Sequence, residues 1–256
     1  MAARPEVDPQ RLRQVDGILA KDEVHVWQVD LKAWEKEADS LLELLDPEER
    51  ERVARFKFPA PRNQFLISRA LLRRALGRYL RIEARDVHFR TGANAKPELA
   101  EGRDLHFNLS HTEGVTVFAI ARNRQVGVDV ERVRADTNAM ELAERFFSRP
   151  EVEWLRAQPA AQHIPSFFSC WTAKEAYIKA QGEGLSLPLS SFSVLPRLPG
   201  SGLHLEVYGD PEESQRWSMW GLELEPGLRA ALAVEGHGCS VRLGQWVLPE
   251  VDAKPL

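Results

Sequence analysis

The stretch FFSCWTAKEAYIKAQGEG, residues 167 to 184, indicates a helix with a carboxylate in an unexpected place. At about 100° per residue, Phe168, Trp171 and Ile178 form one apolar stripe, and Glu175 falls inside it. Lys179 follows Glu175 at i+4, and a surface ion pair of this kind contributes only about 0.3 to 0.5 kcal/mol. Because a charged pair among aromatic side chains is costly without a partner or a metal, we expect Glu175 to line a cleft.

Upstream of this helix, VGVDVE (126 to 131) reads as a strand. The two-residue period of a strand puts Asp129 and Glu131 on one face, about 7 Å apart. Adjacent carboxylates repel, and Mg²⁺ together with phosphate oxygens would relieve that repulsion. A strand end with its polar face in water explains the same pattern, and for this motif alone it is the preferred interpretation.

A second polar strand face precedes this motif. In DLHFNLSH (104 to 111), Leu105 and Phe107 face one way while Asn108 and Ser110 face the other, as in a half-buried strand. His111 could donate to an anion, although a lone His near a turn is more often only hydrogen-bonded in place.

The loop RTGANAKPEL (90 to 99) carries Arg90 and Lys96 near its ends. It suits a phosphate contact and suits a surface turn equally well.

Composition describes a globular chain. The 256 residues are 43% hydrophobic and 28% charged, and no window reaches the roughly 18 apolar residues of a spanning helix. The start of the chain has no cationic stretch followed by an apolar run, so we expect a cytoplasmic protein without membrane attachment. The two cysteines, Cys170 and Cys239, are far apart and indicate neither a zinc site nor a disulfide framework.

Charge is unevenly distributed along the chain. The segment from Arg50 to Lys96 holds thirteen Lys or Arg against three Asp or Glu, within a chain of net charge −4. Such an excess points to an anionic ligand or partner, although solvated arginines on helix faces account for most of it. Nucleic acid is weakly supported, because the aromatic residues of this segment are mostly at core-like spacing.

The order of elements repeats. A long helix followed by strands occurs twice, at an offset of about 100 to 115 residues, too long for a solenoid unit. We therefore predict an α+β fold of two pseudo-symmetric halves, 1–125 and 126–256, each a long helix packed on a small, mainly antiparallel sheet. A ligand site between the halves is a common arrangement, and a chain that supplies both halves is expected to be a monomer.

Taken in order, RTGANAKPEL, FNLSH, GVDVE, FFS with Glu151, and WTAKEAYIKAQGEGLSLPLSSF resemble the 4'-phosphopantetheinyl transferases of the surfactin-synthetase-activating (Sfp-like) class. The resemblance runs from about Pro47 to Phe192 and continues loosely to about Val247. Its most specific part is GVDVE followed about 40 residues later by WTAKEAYIK.

This resemblance implies transfer of the phosphopantetheine arm from coenzyme A to a serine of a carrier protein, leaving adenosine 3',5'-bisphosphate. The implied Mg²⁺ ligands are Asp129, Glu131 and Glu175. The implied cation near the pyrophosphate is Lys179. The implied coenzyme A contacts are Arg52, Arg90, Lys96, Ser110 and His111. The basic contacts would then belong to the N-terminal half and the carboxylates to the C-terminal half.

The chemistry adds one role to those carried over. A neutral serine hydroxyl attacking a pyrophosphate needs a base, and we predict Glu175 for it, directly or through a metal-bound water. Lys179 would share the developing charge.

Two positions depart from the family pattern. Ala95 stands where a Gly before the Lys is usual, and Glu49 stands at the position of an early lysine, which leaves Arg52 as the stronger candidate in that helix.

Two alternatives remain open at this point. One is a non-catalytic module that binds coenzyme A or carrier proteins, and the other is a Mg²⁺-dependent nucleotide phosphohydrolase. The three clustered carboxylates and Lys179 argue against the binding module, since binding alone does not require clustered negative charge.

Overall fold

The computed structural model describes residues 18–92, 96–101, 104–182, 187–197 and 202–246. The α-helices are α1 (Pro47–Arg55), α2 (Pro59–Leu80), α3 (Ala139–Phe146), α4 (Arg149–Arg156), α5 (His163–Gln181) and α6 (Pro211–Arg216). The strands are β1 (Glu23–Asp30), β2 (Phe89–Thr91), β3 (Pro97–Leu99), β4 (Leu105–Thr112), β5 (Val115–Arg122), β6 (Val126–Arg132), β7 (Phe192–Pro196), β8 (Leu203–Val207), β9 (Trp217–Leu222), β10 (Leu228–Glu235) and β11 (Ser240–Trp246).

Two sheets organise the chain. The first has the order β11-β1-β5-β4 and the second the order β6-β10-β9-β8-β7, while β2 and β3 form a separate hairpin. All pairings are antiparallel except β1 with β11, which is parallel. The predicted α+β fold with two small, mainly antiparallel sheets is confirmed.

The core has four layers, in the order α2, first sheet, second sheet, α5. One apolar cluster packs α2 against the first sheet, a second lies between the sheets, and a third packs α5 against the second sheet. The alternation of β6 explains its position, because Val126, Val128 and Val130 enter the layer between the sheets. The opposite face of β6 is left for α5.

The helix starts follow the capping signals in the sequence. Asp46 caps α1 with its side chain accepting from the Glu49 N–H, and Pro47 stands at the first helical position. Ser148 and Glu151 form a capping box at the start of α4. Gly182, at φ 77°, ends α5 in the left-handed conformation that favours glycine.

Several element boundaries differ from the prediction. Helix α5 begins at His163, upstream of the stretch 167–184 that indicated it, and its face of small residues is buried against the second sheet. Helix α6 and strand β11 had no prediction. Short strands and a six-residue helix carry too little periodicity to be recognised from sequence.

The position of strand β11 matters for the predicted boundary between the two halves at residue 125. It pairs with β1 in the first sheet, although it lies near the C-terminal end of the described chain. The boundaries 1–125 and 126–256 stay a prediction, and sheet pairing assigns β11 to the N-terminal side. Ala95 and residues 183–186 of the motif WTAKEAYIKAQGEGLSLPLSSF fall outside the described residues. Within the described residues, no helix combines the length and apolarity that crossing a membrane requires.

Candidate active site

Three polar side chains meet where β4, β6 and α5 approach each other. Ser110 Oγ donates to Asp129 Oδ1 at 2.7 Å, and Lys179 Nζ donates to the same oxygen at 2.6 Å. Lys179 Nζ also lies 3.0 Å from Ser110 Oγ. Asp129 is 4% exposed, so its charge is balanced by Lys179 inside a nearly closed environment.

Glycine at position 127 makes this approach possible. A Cβ there would stand 2.1 Å from the carbonyl oxygen of Ala176 and 2.3 Å from the N of Ala180. Since real atoms do not approach so closely, only glycine lets β6 lie directly on the backbone of α5. The alternation that follows then turns Asp129 and Glu131 toward the same helix.

The second and third carboxylates lie in the electrostatic field of the first. Burial raises the pKa of Glu175, and the nearby charge of Asp129 raises it further, while Lys179 opposes both. Burial likewise raises the pKa of Glu131. The nearby charge of Asp129 raises this pKa further, and Arg134 lowers it. Within the described chain, Glu175 has no hydrogen-bond or ion-pair partner. That Glu175 lines a cleft stays a prediction.

The residues fit a hard divalent cation by their chemistry. Asp129 Oδ2 is buried and takes no hydrogen bond from any described residue, and an oxygen in that state is stabilised by a cation. Burial is the largest cause of the raised pKa values of Glu131 and Glu175, and the charge of Asp129 adds to it. As arranged, however, no three His, Cys, Asp or Glu side chains among the described residues are close enough together to hold a metal ion. Donor type therefore supports the predicted Mg²⁺ ligands, and their joint coordination stays a prediction.

Lys174 belongs to a different arrangement from Glu175. Its amine donates to both carboxylate oxygens of Glu151, at 2.8 and 2.7 Å, and to the carbonyl oxygen of Phe192 at 2.8 Å. Glu151 also accepts from the N–H groups of Ser148 and Val194. Burial lowers the pKa of Lys174, and the Glu151 carboxylate opposes that effect. This buried pair ties α4, α5 and β7 together.

Two of the predicted coenzyme A contacts lie beside α2. Gln64 Nε2 donates to His111 Nδ1 at 2.9 Å, which puts the proton of a neutral His111 on Nε2, and His111 is exposed. The Arg52 guanidinium lies 4.5 Å from the ring centroid of Phe65, the neighbour of Gln64. Arg52 and His111 thus contact neighbouring residues of α2, whereas Ser110 is buried beside Asp129.

The other two predicted contacts have partners within the protein. Arg90 is exposed and donates to Glu98 Oε2 at 3.0 Å across the β2–β3 hairpin. Lys96 Nζ donates to the carbonyl oxygen of Lys179 at 2.6 Å, at the C-terminal end of α5, where a cation is favoured. Burial lowers the pKa of Lys96 to about 8. Both residues line a cavity of about 580 Å³, and their contact with coenzyme A stays a prediction.

Sequence reasoning missed three contributions to this site. Strand alternation puts Gly127 on the same face as Asp129 and Glu131, but it gives no reason for a glycine there. The pairing of Lys174 with Glu151 joins residues 23 positions apart and has no sequence signal of its own. Thr112 extends the polar face of Asn108 and Ser110 by one more two-residue step, so the alternation itself could have indicated it.

Two family models together match most of this chain. The 4'-phosphopantetheinyl transferase superfamily model matches residues 125–233, and the model of the 4'-phosphopantetheinyl transferase N-terminal region matches residues 27–123. The boundary between the matched regions falls between β5 and β6, where the chain passes from one sheet to the other.

Individual relatives agree. The 4'-phosphopantetheinyl transferase HetI of a Nostoc species is 35% identical over 224 residues, covering 86% of this chain and 91% of that protein. The 4'-phosphopantetheinyl transferase Sfp of Bacillus subtilis is 30% identical over 198 residues, covering 77% and 85%. The crystal structure of the Thermotoga maritima holo-[acyl-carrier-protein] synthase is 22% identical, covers 43% of this chain and 62% of that one, and has a TM-score of 0.36, too partial to support an inference.

The fold is α+β with two small, mainly antiparallel sheets, and Ser110, Asp129 and Lys179 meet where β4, β6 and α5 approach each other. The chain belongs to the 4'-phosphopantetheinyl transferase family, in its Sfp-like class.

Proposed function

We propose that this protein transfers the 4'-phosphopantetheine group from coenzyme A to a serine hydroxyl of an apo acyl or peptidyl carrier protein, releasing adenosine 3',5'-bisphosphate. The observation that carries the proposal is the meeting of Ser110, Asp129 and Lys179 next to two carboxylates of raised pKa. Family membership supports the same activity.

Mg²⁺ would be held by Asp129, Glu131 and Glu175. When bound, it would neutralise the pyrophosphate and stabilise the leaving phosphate. The orphaned Asp129 Oδ2 supports this assignment, since it is the one site oxygen that is both buried and without a hydrogen bond from a described residue.

The residues of the chain supply the rest of the chemistry. The serine oxygen forms a bond to the β-phosphorus, and the bond from that phosphorus to the bridging oxygen breaks, so the electron pair leaves with adenosine 3',5'-bisphosphate. Glu175 takes the serine proton, directly or through a water, and its raised pKa suits a base that must hold that proton. Lys179 stabilises the charge that develops on the phosphate oxygens.

Coenzyme A would lie along the surface shared by α2 and β4. His111 Nε2 and the Arg52 guanidinium are donors for its phosphates, and Ser110 lies between them and the carboxylates. Arg90 and Lys96 would join them only by leaving their present partners, Glu98 and the Lys179 carbonyl.

The proposal extends to the setting of the reaction. Residues 1–125 would supply the coenzyme A-binding basic residues and residues 126–256 the carboxylates, in a cytoplasmic monomer. The basic segment from Arg50 to Lys96 would steer an acidic carrier protein toward the cleft.

A mass measurement separates the candidate activities. The protein is incubated with coenzyme A, Mg²⁺ and an apo carrier protein, and the carrier is weighed by mass spectrometry. We expect a gain equal to one phosphopantetheine group on the serine. Binding of coenzyme A or of the carrier without a mass gain would indicate a binding module, and release of phosphate without a carrier would indicate a phosphohydrolase.

A further inference from the structure

Strand β6 is an edge strand whose outer side faces another edge strand. It pairs with β10 on one side, and on the other side it lies next to β4, the edge of the first sheet. The two strands are not paired by backbone hydrogen bonds. The outward N–H groups of β6 are nevertheless buried at Val128 and Val130, and a buried N–H without an acceptor is costly.

Side chains of β4 accept these N–H groups. The bonds join Val128 N to Asn108 Oδ1 at 2.9 Å, Val130 N to Ser110 Oγ at 3.4 Å, and Arg132 N to Thr112 Oγ1 at 3.2 Å. Every second residue of β4 meets every second residue of β6 at a constant offset of twenty. We name these three bonds the β4–β6 ladder.

Two hydroxyls of the β4–β6 ladder also reach carboxylates. Ser110 Oγ donates to Asp129 Oδ1 at 2.7 Å, and Thr112 Oγ1 donates to Glu131 Oε2 at 3.4 Å. A hydroxyl has one proton to donate and two lone pairs to accept with, so it serves a backbone N–H and a carboxylate together. An aliphatic side chain of the same shape would lose both bonds.

We propose that Thr112 is a positioning residue for Glu131, which it orients while it fixes β6 against the first half of the protein. The role rests on the proposed function, because Glu131 matters there as a candidate Mg²⁺ ligand. Thr112 itself touches neither coenzyme A nor the carrier in this account. Partners of this kind hold a ligand side chain in its productive orientation.

Three variants test the proposal. Thr112→Val keeps the shape and removes the hydroxyl, whereas Thr112→Ser keeps the hydroxyl and removes the methyl group. Thr116→Val is the matched control, since Thr116 is a fully buried residue of β5 whose hydroxyl bonds to Ser68 Oγ of α2, away from the carboxylates.

The first measurement is amide hydrogen exchange of the free protein. The Arg132 N–H should be protected in the wild type and in Thr112→Ser, and should exchange faster in Thr112→Val, because its acceptor is gone. This readout does not depend on any activity. If Arg132 is unprotected in the wild type, the β4–β6 ladder does not exist in solution and the proposal fails whatever the enzyme does.

The second measurement is the Mg²⁺ dependence of transfer. Thr112→Val should raise the Mg²⁺ concentration for half-maximal rate by roughly 10- to 100-fold, with coenzyme A affinity nearly unchanged. Thr112→Ser should stay close to the wild type, and Thr116→Val should lower thermal stability without changing the Mg²⁺ requirement.

Two outcomes would overturn the role of Thr112. One is a wild-type Mg²⁺ requirement in Thr112→Val, and the other is an equal rise in Thr116→Val, which would show a general loss of order. Absence of transfer by the wild-type protein itself would instead contradict the proposed function, and the hydrogen-exchange result would still decide whether the β4–β6 ladder is present.

Discussion

At the scale of single residues, Glu175 is the group on which the proposed chemistry depends. It is a carboxylate without a partner among the described residues, and burial and Asp129 both raise its pKa. Lys179 opposes that rise from the next turn of α5. Because these effects on its pKa oppose each other, the Glu175 carboxylate stays able to accept a proton while it lies close to the positive charge of Lys179.

Replacing Glu175 by Gln removes the proton acceptor and keeps the size of the side chain. We expect turnover to fall by roughly 100-fold or more, the scale of general-base removal, with coenzyme A still bound. Single-turnover transfer to a carrier protein, with coenzyme A binding measured separately, checks this. Near-normal turnover would exclude the base role.

Some residues of the site could be predicted from the sequence and others could not, for a physical reason. Glu175 was visible because a carboxylate interrupts an apolar stripe, and Asp129 because strand alternation pairs it with Glu131. Gly127 and Lys174 could not be recognised from the sequence, since their roles depend on how the helices and strands pack against each other. Local periodicity does not indicate a close backbone approach or a buried ion pair between residues far apart in the chain.

At the scale of elements, helix α5 is fixed by contacts on three sides. Its small residues pack on the second sheet, Lys174 binds Glu151 of α4, and Lys96 binds its C-terminal carbonyl groups. These contacts set the rotation of the helix, and with it the direction of Glu175 and Lys179. Capping residues stand where α1 and α4 begin and where α5 ends, whereas no side chain caps the start of α5 at His163.

Removing one partner of the buried Glu151–Lys174 ion pair should destabilise the fold strongly. Its side chains are 0% and 1% exposed, so Glu151→Gln leaves a buried amine without its counter-charge, and we expect a loss of about 3–5 kcal/mol in the free energy of unfolding. Glu153→Gln makes the same change two residues later, on an exposed side chain, and should leave the denaturation midpoint nearly unchanged. Equal midpoints for the two variants would contradict this view of the pair.

Lys96 predicts a dependence of stability on pH. Its pKa falls from 10.5 to about 8 in the folded protein through burial, so between these values the unfolded chain keeps a proton that the folded chain has lost. The contribution of Lys96 to stability therefore rises as pH increases through this window, and its burial cost is fully present below it. Lys96→Met should lower the slope of unfolding free energy against pH between 8 and 10.5, measured by urea denaturation. An unchanged slope would show that the amine is not buried in solution.

Across the whole molecule, the site depends on how the two sheets meet. His111 lies at the end of β4 in the first sheet, the carboxylates lie on β6 of the second sheet and on α5, and the β4–β6 ladder joins the two sheets. The repeated order of helix and strands predicted two α+β halves. It did not predict that β11 returns to the first sheet, because parallel pairing of distant strands has no local sequence signal.

If the site works as proposed, carboxylates of β6 and α5 share one divalent ion beside coenzyme A. A crystal structure of the protein with coenzyme A and Mn²⁺ in place of Mg²⁺, with the ion located by its anomalous scattering, tests this arrangement. We expect one ion bonded to oxygens of Asp129, Glu131 and Glu175 and to the pyrophosphate. An ion held by the β6 carboxylates with Glu175 out of reach, or bound away from all three, would exclude a shared ion.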